Sequence, residues 1–324
     1  MKKKILLLLS FLVLIMLALE QSKSITRFLD VVKSGESRLV LAEQETRLLA
    51  EIQAEAARRN ILPINAKVDP VWKAIPGYNG LEVDVEKTLL LADQSPAGAP
   101  IHYVMKETSP SVGLEDLGPH PIYKGNPKKP MVALMINVAW GNEFLPVMLE
   151  TLKRENVHAT FFFDGSWLKQ NIELARQIGS LGHELSNHAY SHKNMSQLSR
   201  QKAIEEISRT QSLLEKELGV SNKLFAPPSG DFDQETVQIA AGLKLKTILW
   251  TLDTVDWTHP GASRIIQKIE SRVEPGFLIL MHPTVSSSQA LDGIIKIIKR
   301  KGYSLGTVSE LLSPTRVPEP TLQS

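Results

Sequence analysis

From residue 131 onward, short apolar runs alternate with amphipathic stretches. Residues 131–138 form one continuous apolar run of strand length, residues 142–154 show helical spacing, and residues 157–163 form a second apolar run. The rhythm continues with helix at 167–181, strand at 182–187, a long amphipathic helix at 199–218, strand at 224–226 and helix at 233–241. It closes with strand at 247–252, helix at 262–273, strand at 277–281 and helix at 290–301. Strands that are short and apolar throughout, each followed by a helix, predict a parallel sheet covered by helices. Roughly seven such units predict an α/β fold of the distorted (β/α) TIM-like barrel kind, closed or nearly closed, with its chemistry at the C-terminal ends of the strands. An open doubly wound sheet is the alternative, but no glycine-rich phosphate loop follows the first strand.

The first part of the chain has a different pattern. Residues 25–60 read as helix, with Phe28, Val31, Val32, Leu48, Leu49 and Ile52 at near-helical spacing. Residues 61–128 are broken repeatedly by proline, from Pro63 to Pro127, with only short strand-like pieces such as 81–85. Residues 123–130 have the composition of a linker. The expected division is a signal peptide or membrane anchor at 1–24, a smaller helical and proline-rich accessory region at 25–128, and the barrel at 129–315. The first segment is argued by Lys2, Lys3 and Lys4 followed by an apolar run over 5–19, the layout of an export signal. That run is shorter than the roughly 20 residues a spanning helix prefers. Either way the bulk of the protein is expected to be exported, extracytoplasmic, and membrane-anchored or wall-associated.

Composition changes the picture little. A net charge of +2 with no basic stripe beyond the N-terminal lysines gives no argument for nucleic acid. The absence of cysteine removes disulfides, thiolate metal sites and cysteine nucleophiles together.

Three predicted strand ends carry polar groups that suit hydrolytic chemistry. His188 and His192 follow one strand, four residues apart, and on a helical turn both imidazoles would share a face and meet one divalent ion. Asp253, Asp256 and Trp257 end another strand, and His282 a third. With these motifs, residues 131–312 resemble the polysaccharide deacetylases of carbohydrate esterase family 4, in particular the sporulation-associated branch of Bacillus-type bacteria.

The resemblance implies a distorted (β/α) barrel, a divalent metal such as zinc held by one aspartate and two histidines, and removal of N-acetyl groups from peptidoglycan or chitin-type glycan. Its implied partners are an N-acetylated cell-wall glycan and, through the N-terminus, a membrane. His188 and His192 match the ligand pair, Asp256 and Trp257 the residues that orient the catalytic histidine and shape the pocket, His282 the general acid, and Leu280 a wall of the acetyl pocket. Pro228 lies in the third motif, here Ala226-Pro227-Pro228-Ser229-Gly230, where the family has arginine in place of Ala226. The first motif, Thr-Phe-Asp-Asp-Gly in the family, reads Met135-Ile136-Asn137-Val138-Ala139. Asn137 thus stands at the general-base position and Val138 at the third metal-ligand position.

An asparagine cannot serve as a base at neutral pH, and valine has no metal-binding atom. The changes agree with one another, because the third-motif arginine pairs with the base carboxylate in the family and both are replaced. Three readings stay open from the sequence. One is a weakened hydrolase in which Asp164, Asp253 or Glu143 supplies a carboxylate. Another is an inactive protein that binds glycan or a partner enzyme. The third is an interaction role carried by residues 25–128.

Overall fold

The computed structural model describes residues 36–96 and 98–317. The expected signal peptide or anchor at 1–24, and the start of the helix predicted from 25, lie outside the described residues. Among the described residues no helix is long and apolar enough to cross a membrane.

The first elements are α1 (Glu36–Arg59), β1 (Lys67–Asp69), β2 (Lys73–Ile75), β3 (Gly80–Val83), α2 (Val85–Asp93) and β4 (Met105–Thr108). The chain divides into two compact units, one reaching Ile61 and including Leu81–Lys106, the other holding Leu62–Gly80 and everything from Glu107. In the first unit, Ile52 and Ala56 of α1 are buried with Val83, and Leu48, Val85, Leu89 and Tyr103 pack around them. Asp84 caps α2 by accepting a hydrogen bond from the Lys87 amide.

The second unit contains the predicted barrel. Its elements are β5 (Met131–Val138), α3 (Leu145–Arg154), β6 (Thr160–Phe163), α4 (Gly165–Gln170), α5 (Ile172–Ser180), β7 (Glu184–Asn187), α6 (Arg200–Leu218), β8 (Leu224–Phe225), α7 (Gln234–Gly242), β9 (Lys246–Thr247), β10 (Leu252–Asp253), α8 (Ala262–Arg272), β11 (Leu278–Met281), α9 (Val285–Arg300), β12 (Ser304–Gly306) and α10 (Val308–Leu312). The strands run in the order β10-β11-β5-β6-β7-β8-β9, all parallel, with β12 also on β5. The result is a curled sheet wrapped by helices, with β9 and β10 as its two ends.

Strand β5 lies at the centre and is buried along its whole length. Its residues alternate between two cores, as period-two geometry requires. Val132, Leu134, Ile136 and Val138 pack with Leu145, Met148 and Leu152 of α3 and with Ile294 and Ile298 of α9. Met131, Ala133 and Met135 face the inner core with Phe162, Ala226, Ile248 and Leu280.

Several expectations are corrected. The helix predicted at 167–181 is two helices, α4 and α5, because Asn171 leaves the helical region at φ −130°, ψ 35°. The strand predicted at 247–252 is two separate pieces, β9 and β10, with Ile248 bridged to Ile122 in parallel and the Leu249 amide donating to the Ile122 carbonyl. Strand β12 and helix α10 carry no separate signal in the apolar rhythm.

The segment 123–130 is not a linker. Lys124, Asn126 and Lys129 are buried, Lys124 bridges Phe277, and the Gly125 amide donates to the Gly276 carbonyl. The Lys129 ammonium donates to the carbonyls of Glu310 and Ser313 at the end of α10, a favourable place for a cation at a helix C-terminus. Burial brings its pKa down to about 8, against the opposing pull of Glu310 and Glu107. The accessory boundary at 128 therefore differs from the structural one: residues 62–80 and 107–128 belong to the compact unit that holds the barrel.

Gly276 tests this integration. It sits at φ +83°, and a Cβ there would lie 2.9 Å from the carbonyl oxygens of Gly125 and Asn126. Gly302 has a similar φ of +79° with nothing within 4 Å. Gly302→Ala is expected to cost about 1–2 kcal/mol for the left-handed backbone alone. Gly276→Ala is expected to cost about 1–3 kcal/mol more, because segment 125–126 must shift as well. Urea denaturation of the two variants checks the difference.

Candidate functional site

The C-terminal ends of β5, β7, β8 and β11 form one rim. Asn137 continues the inner row of β5 beyond Met135, and Leu280 of β11 is the register partner of Met135, so His282 follows alongside Asn137. On the other flank Asn137 is registered with Phe162 of β6, which in turn faces Ser186 of β7, two residues before His188.

His188 is fully buried, and its Nδ1 donates to the Ala226 carbonyl at 2.7 Å. That bond fixes the tautomer whose Nε2 lone pair is free to accept. Burial, the nearby His192 and, to a lesser degree, His282 pull its pKa down to about 3 against the raising effect of the Ala226 carbonyl.

The stretch from His188 to His192 is a tight loop rather than the helical turn expected from the spacing. Ala189 and His192 both adopt left-handed backbone, at φ +59° and +53°. The loop is bound from several sides. The buried Glu206 of α6 accepts from the amides of Tyr190 and Ser191 and from Ser191 Oγ, at 3.1, 2.7 and 2.6 Å. Thr210 Oγ1 donates to the Ala189 carbonyl at 2.6 Å, and Asn187 Oδ1 accepts from the Ala189 amide at 2.9 Å. These bonds bring the two imidazoles together by another route, with ring centroids 5.2 Å apart.

On the opposite part of the rim, Asp256 is completely buried and accepts from His282 Nδ1 at 2.8 Å, from the His282 amide at 2.6 Å and from Ser287 Oγ. Burial pushes the Asp256 carboxyl upward, but the His282 and Ser287 hydrogen bonds and the His282 charge outweigh it and hold it below its ordinary value. His282 is thereby oriented with Nε2 as its unused nitrogen.

Trp140 joins the two halves. Its indole stacks on His282 with centroids 5.5 Å apart and planes 12° from parallel, and meets His192 edge-on at 6.2 Å. The next residue, Gly141, has φ +82°, and a Cβ there would lie 2.0 Å from the Pro283 carbonyl oxygen. Only glycine lets the loop after β5 lie this close to the loop after β11.

The sequence-predicted residues thus separate into groups. His188, His192, Asp256 and His282 are brought together, directly or through Trp140. Leu280 is buried in the inner core with Ala226, Pro228 is buried nearby in sequence, and Trp257 is 56% exposed. Asn137 is 4% exposed and makes no side-chain hydrogen bond among the described residues; its Oδ1 is enclosed without a partner. Such a buried acceptor costs about 1–3 kcal/mol while it stays unpaired.

Of the three candidate replacement carboxylates, Asp253 accepts from the Val255 amide in its own turn, and Glu143 is exposed. Asp164 caps α4 through the Trp167 amide and Ser166 Oγ, with its other oxygen enclosed and unpartnered. The structure adds Trp140, Glu206 and Ser287, which no motif marked. A tryptophan immediately after the first motif was the one available signal.

The chain's own donors do not fit the zinc centre that the resemblance implies. The imidazoles of His188 and His192 are in place, but Val138 presents an isopropyl group to the apolar layer under α3 and α9. Among the described residues no three His, Cys, Asp or Glu side chains are grouped to hold a metal ion. A catalytic zinc ordinarily takes three protein ligands plus one open position.

Comparison with known proteins places this geometry among its relatives. A family model described as polysaccharide deacetylase matches residues 124–248. The Bacillus subtilis protein YlxY is 45% identical over 270 residues, 83% of this chain and 85% of the relative. A peptidoglycan-N-acetylglucosamine deacetylase of Bacillus cereus is 30% identical over 199 residues, 60% of this chain and 72% of the relative. Among solved structures, BA3943 of Bacillus anthracis, described as a CE4 family pseudoenzyme, superposes with a TM-score of 0.75 at 44% identity, covering 83% of this chain and 96% of that one. A BA3943 mutant described as having restored enzymatic activity superposes with a TM-score of 0.75 at 43% identity, covering 83% of this chain and 99% of that one.

Two outcomes follow for the isolated protein. Val138→Asp places a carboxylate in an apolar layer and is expected to destabilise the metal-free protein by roughly 3–5 kcal/mol, read from urea denaturation. The pH dependence is set by neutral histidines. The ordinary value is 6.5, while His188 is held at about 3 and His183, buried beside His158, at about 4. Below about pH 6.5 the unfolded chain takes up protons that the folded chain refuses, so stability falls as the pH drops toward 4. Urea midpoints measured from pH 7 to pH 4 should show this slope, and His183→Phe should make it shallower.

Proposed function

Because the chain belongs to the CE4 family of polysaccharide deacetylases, we propose that it is a member that holds cell-wall glycan without the family's rate of N-acetyl hydrolysis. The observation that carries this reading is the contrast between two halves of one rim. His188, His192, Asp256 and His282 keep a built and hydrogen-bonded arrangement. Asn137, Val138 and Ala226 occupy the places of a base, a metal ligand and the base's arginine partner.

Loss of a general base alone typically lowers a rate by about 10²–10⁴-fold. The asparagine amide takes no proton, and His282, held by Asp256, has no activated water to follow with its own proton. The printed description of BA3943 as a pseudoenzyme supports the same reading here.

The second reading, a weakened hydrolase with a substitute carboxylate, is disfavoured by the employment of Asp253 and Asp164 in local turns and caps and by the exposure of Glu143. The substrate class proposed is N-acetylated glycan of the peptidoglycan or chitin type, following the named activity of the Bacillus cereus relative. The proposed place of action is the envelope, outside the cytoplasmic membrane. Support comes from the lysines at 2–4 and the apolar run at 5–19.

The purified chain is expected to release no measurable acetate from peptidoglycan or chitooligosaccharide, with or without zinc. The combined variant Asn137→Asp, Val138→Asp, Ala226→Arg is expected to gain both stoichiometric zinc and acetate release, measured by elemental analysis and an acetate assay. Turnover by the unaltered chain as fast as by the triple variant would overturn the proposal.

A further inference from the structure

We propose that a cavity on the barrel face opposite the rim binds an organic anion with an apolar body, its acidic group held by Lys223, Lys244 and Lys246. The site does not depend on the reading of the rim as a glycan-holding surface.

The first observation is the place and lining of the cavity. It has a volume of about 560 Å³ and lies between the C-terminal half of α7, the starts of β8 and β9, and the segment that carries Leu114 and Ile122. Lys223 immediately precedes β8 and Lys246 opens β9, with the Lys246 amide donating to the Lys223 carbonyl. These two strands are parallel to the rest of the sheet, so the cavity opens where the strands begin and the histidine rim lies where they end. Ile122, Val237 and Leu245, all buried, give the cavity an apolar floor. An apolar hollow with a few convergent polar groups at its edge suits a ligand that has both characters.

The second observation is the charge. Three lysines and His120 line the cavity, against one carboxylate, Glu115. Lys246 pairs with Glu115 at 2.6 Å, but the Glu115 side chain is 81% exposed, and a pair so open to water is weak and readily exchanged. Lys223 and Lys244 are exposed, and among the described residues neither ammonium has an ion pair or a hydrogen bond. Ammonium groups on flexible stems can turn together onto one anion. The anion supplies the countercharge that the lining lacks, and its apolar body covers the floor.

The third observation is the backbone at Lys244. Helices α3, α7 and α9 close in the same way: the amide of a left-handed residue donates to the carbonyl three positions back, and the next amide to the carbonyl five back. The left-handed residue is Asn156 after α3 and Gly302 after α9, the residue types this closure ordinarily takes. After α7 it is Lys244, at φ +62°. A lysine gains nothing there from local geometry, and its Cβ makes the conformation unfavourable. A strained residue that lines a cavity points to a role for its side chain in that cavity.

The test is calorimetric titration of the full chain at pH 7 with 1-naphthyl phosphate, with inorganic phosphate and with 1-naphthol. The ester is expected to bind at least roughly tenfold more tightly than either part alone. Lys223→Ala should weaken the ester with little change in the urea midpoint. Lys244→Gly should weaken it while raising the midpoint, because glycine takes left-handed backbone freely. Lys202→Ala, which removes an exposed lysine of α6 outside the cavity, should leave the affinity unchanged. Unaltered affinity in both cavity variants would overturn the site. Binding of 1-naphthol or of inorganic phosphate as tight as that of the ester would overturn the ligand class. No binding of the ester by the unaltered chain would overturn the proposal outright, while the acetate and zinc measurements on the rim would stand as they are.

Discussion

A strand buried on both faces sends alternate residues into different solvents. Strand β5 is such a strand, and its last two residues end in different surroundings: Asn137 follows the inner row and Val138 the row packed beneath α3 and α9. The rest of the site depends on this alternation. A polar residue at 137 remains within reach of the rim, while an apolar residue at 138 merges into the larger core and adds to its burial. The two neighbours thus have opposite physical characters, Asn137 carrying an enclosed, unpaired polar group and Val138 an apolar one.

The retained half of the site has its own structural reasons to persist. Asp256 is wholly buried and serves three donors, so removing His282 or Ser287 would strand part of a carboxylate away from water. His188 is fixed to the Ala226 carbonyl, and Glu206 closes the loop that follows it. A site built this way does not erode one residue at a time, because each polar member satisfies another. Beside this bonded network Asn137, Val138 and Ala226 contribute an amide, an isopropyl and a methyl.

Most of the barrel was legible in the sequence because its strands are short and apolar and its helices amphipathic, which gives a strong periodic signal. The signal failed where tertiary contacts replace local pattern. Lys124, Asn126 and Lys129 look like linker residues, yet they are buried through partners distant in sequence, Lys124 at Phe277, Asn126 at the Pro76 carbonyl and Lys129 at Glu310 and Ser313. The imidazole pair was legible by spacing, but its conformation was not: two left-handed residues and a glutamate from α6 do what a helical turn was expected to do. Only its place after the first motif marked Trp140, because no local periodicity distinguishes a tryptophan that stacks on a distant histidine from one that packs in a core.

The pairing of the sheet also bears on how the chain is made. Strand β5, the first of the curled sheet to leave the ribosome, takes β11 along the edge opposite β6, and β11 comes from residues 145 positions later, as Leu278 pairs with Ala133. Its central strand therefore stays half-paired until nearly the whole polypeptide has been synthesised. A chain of this topology cannot lock its core early, so its apolar strands wait, exposed, for a partner that is among the last parts of the chain to be made.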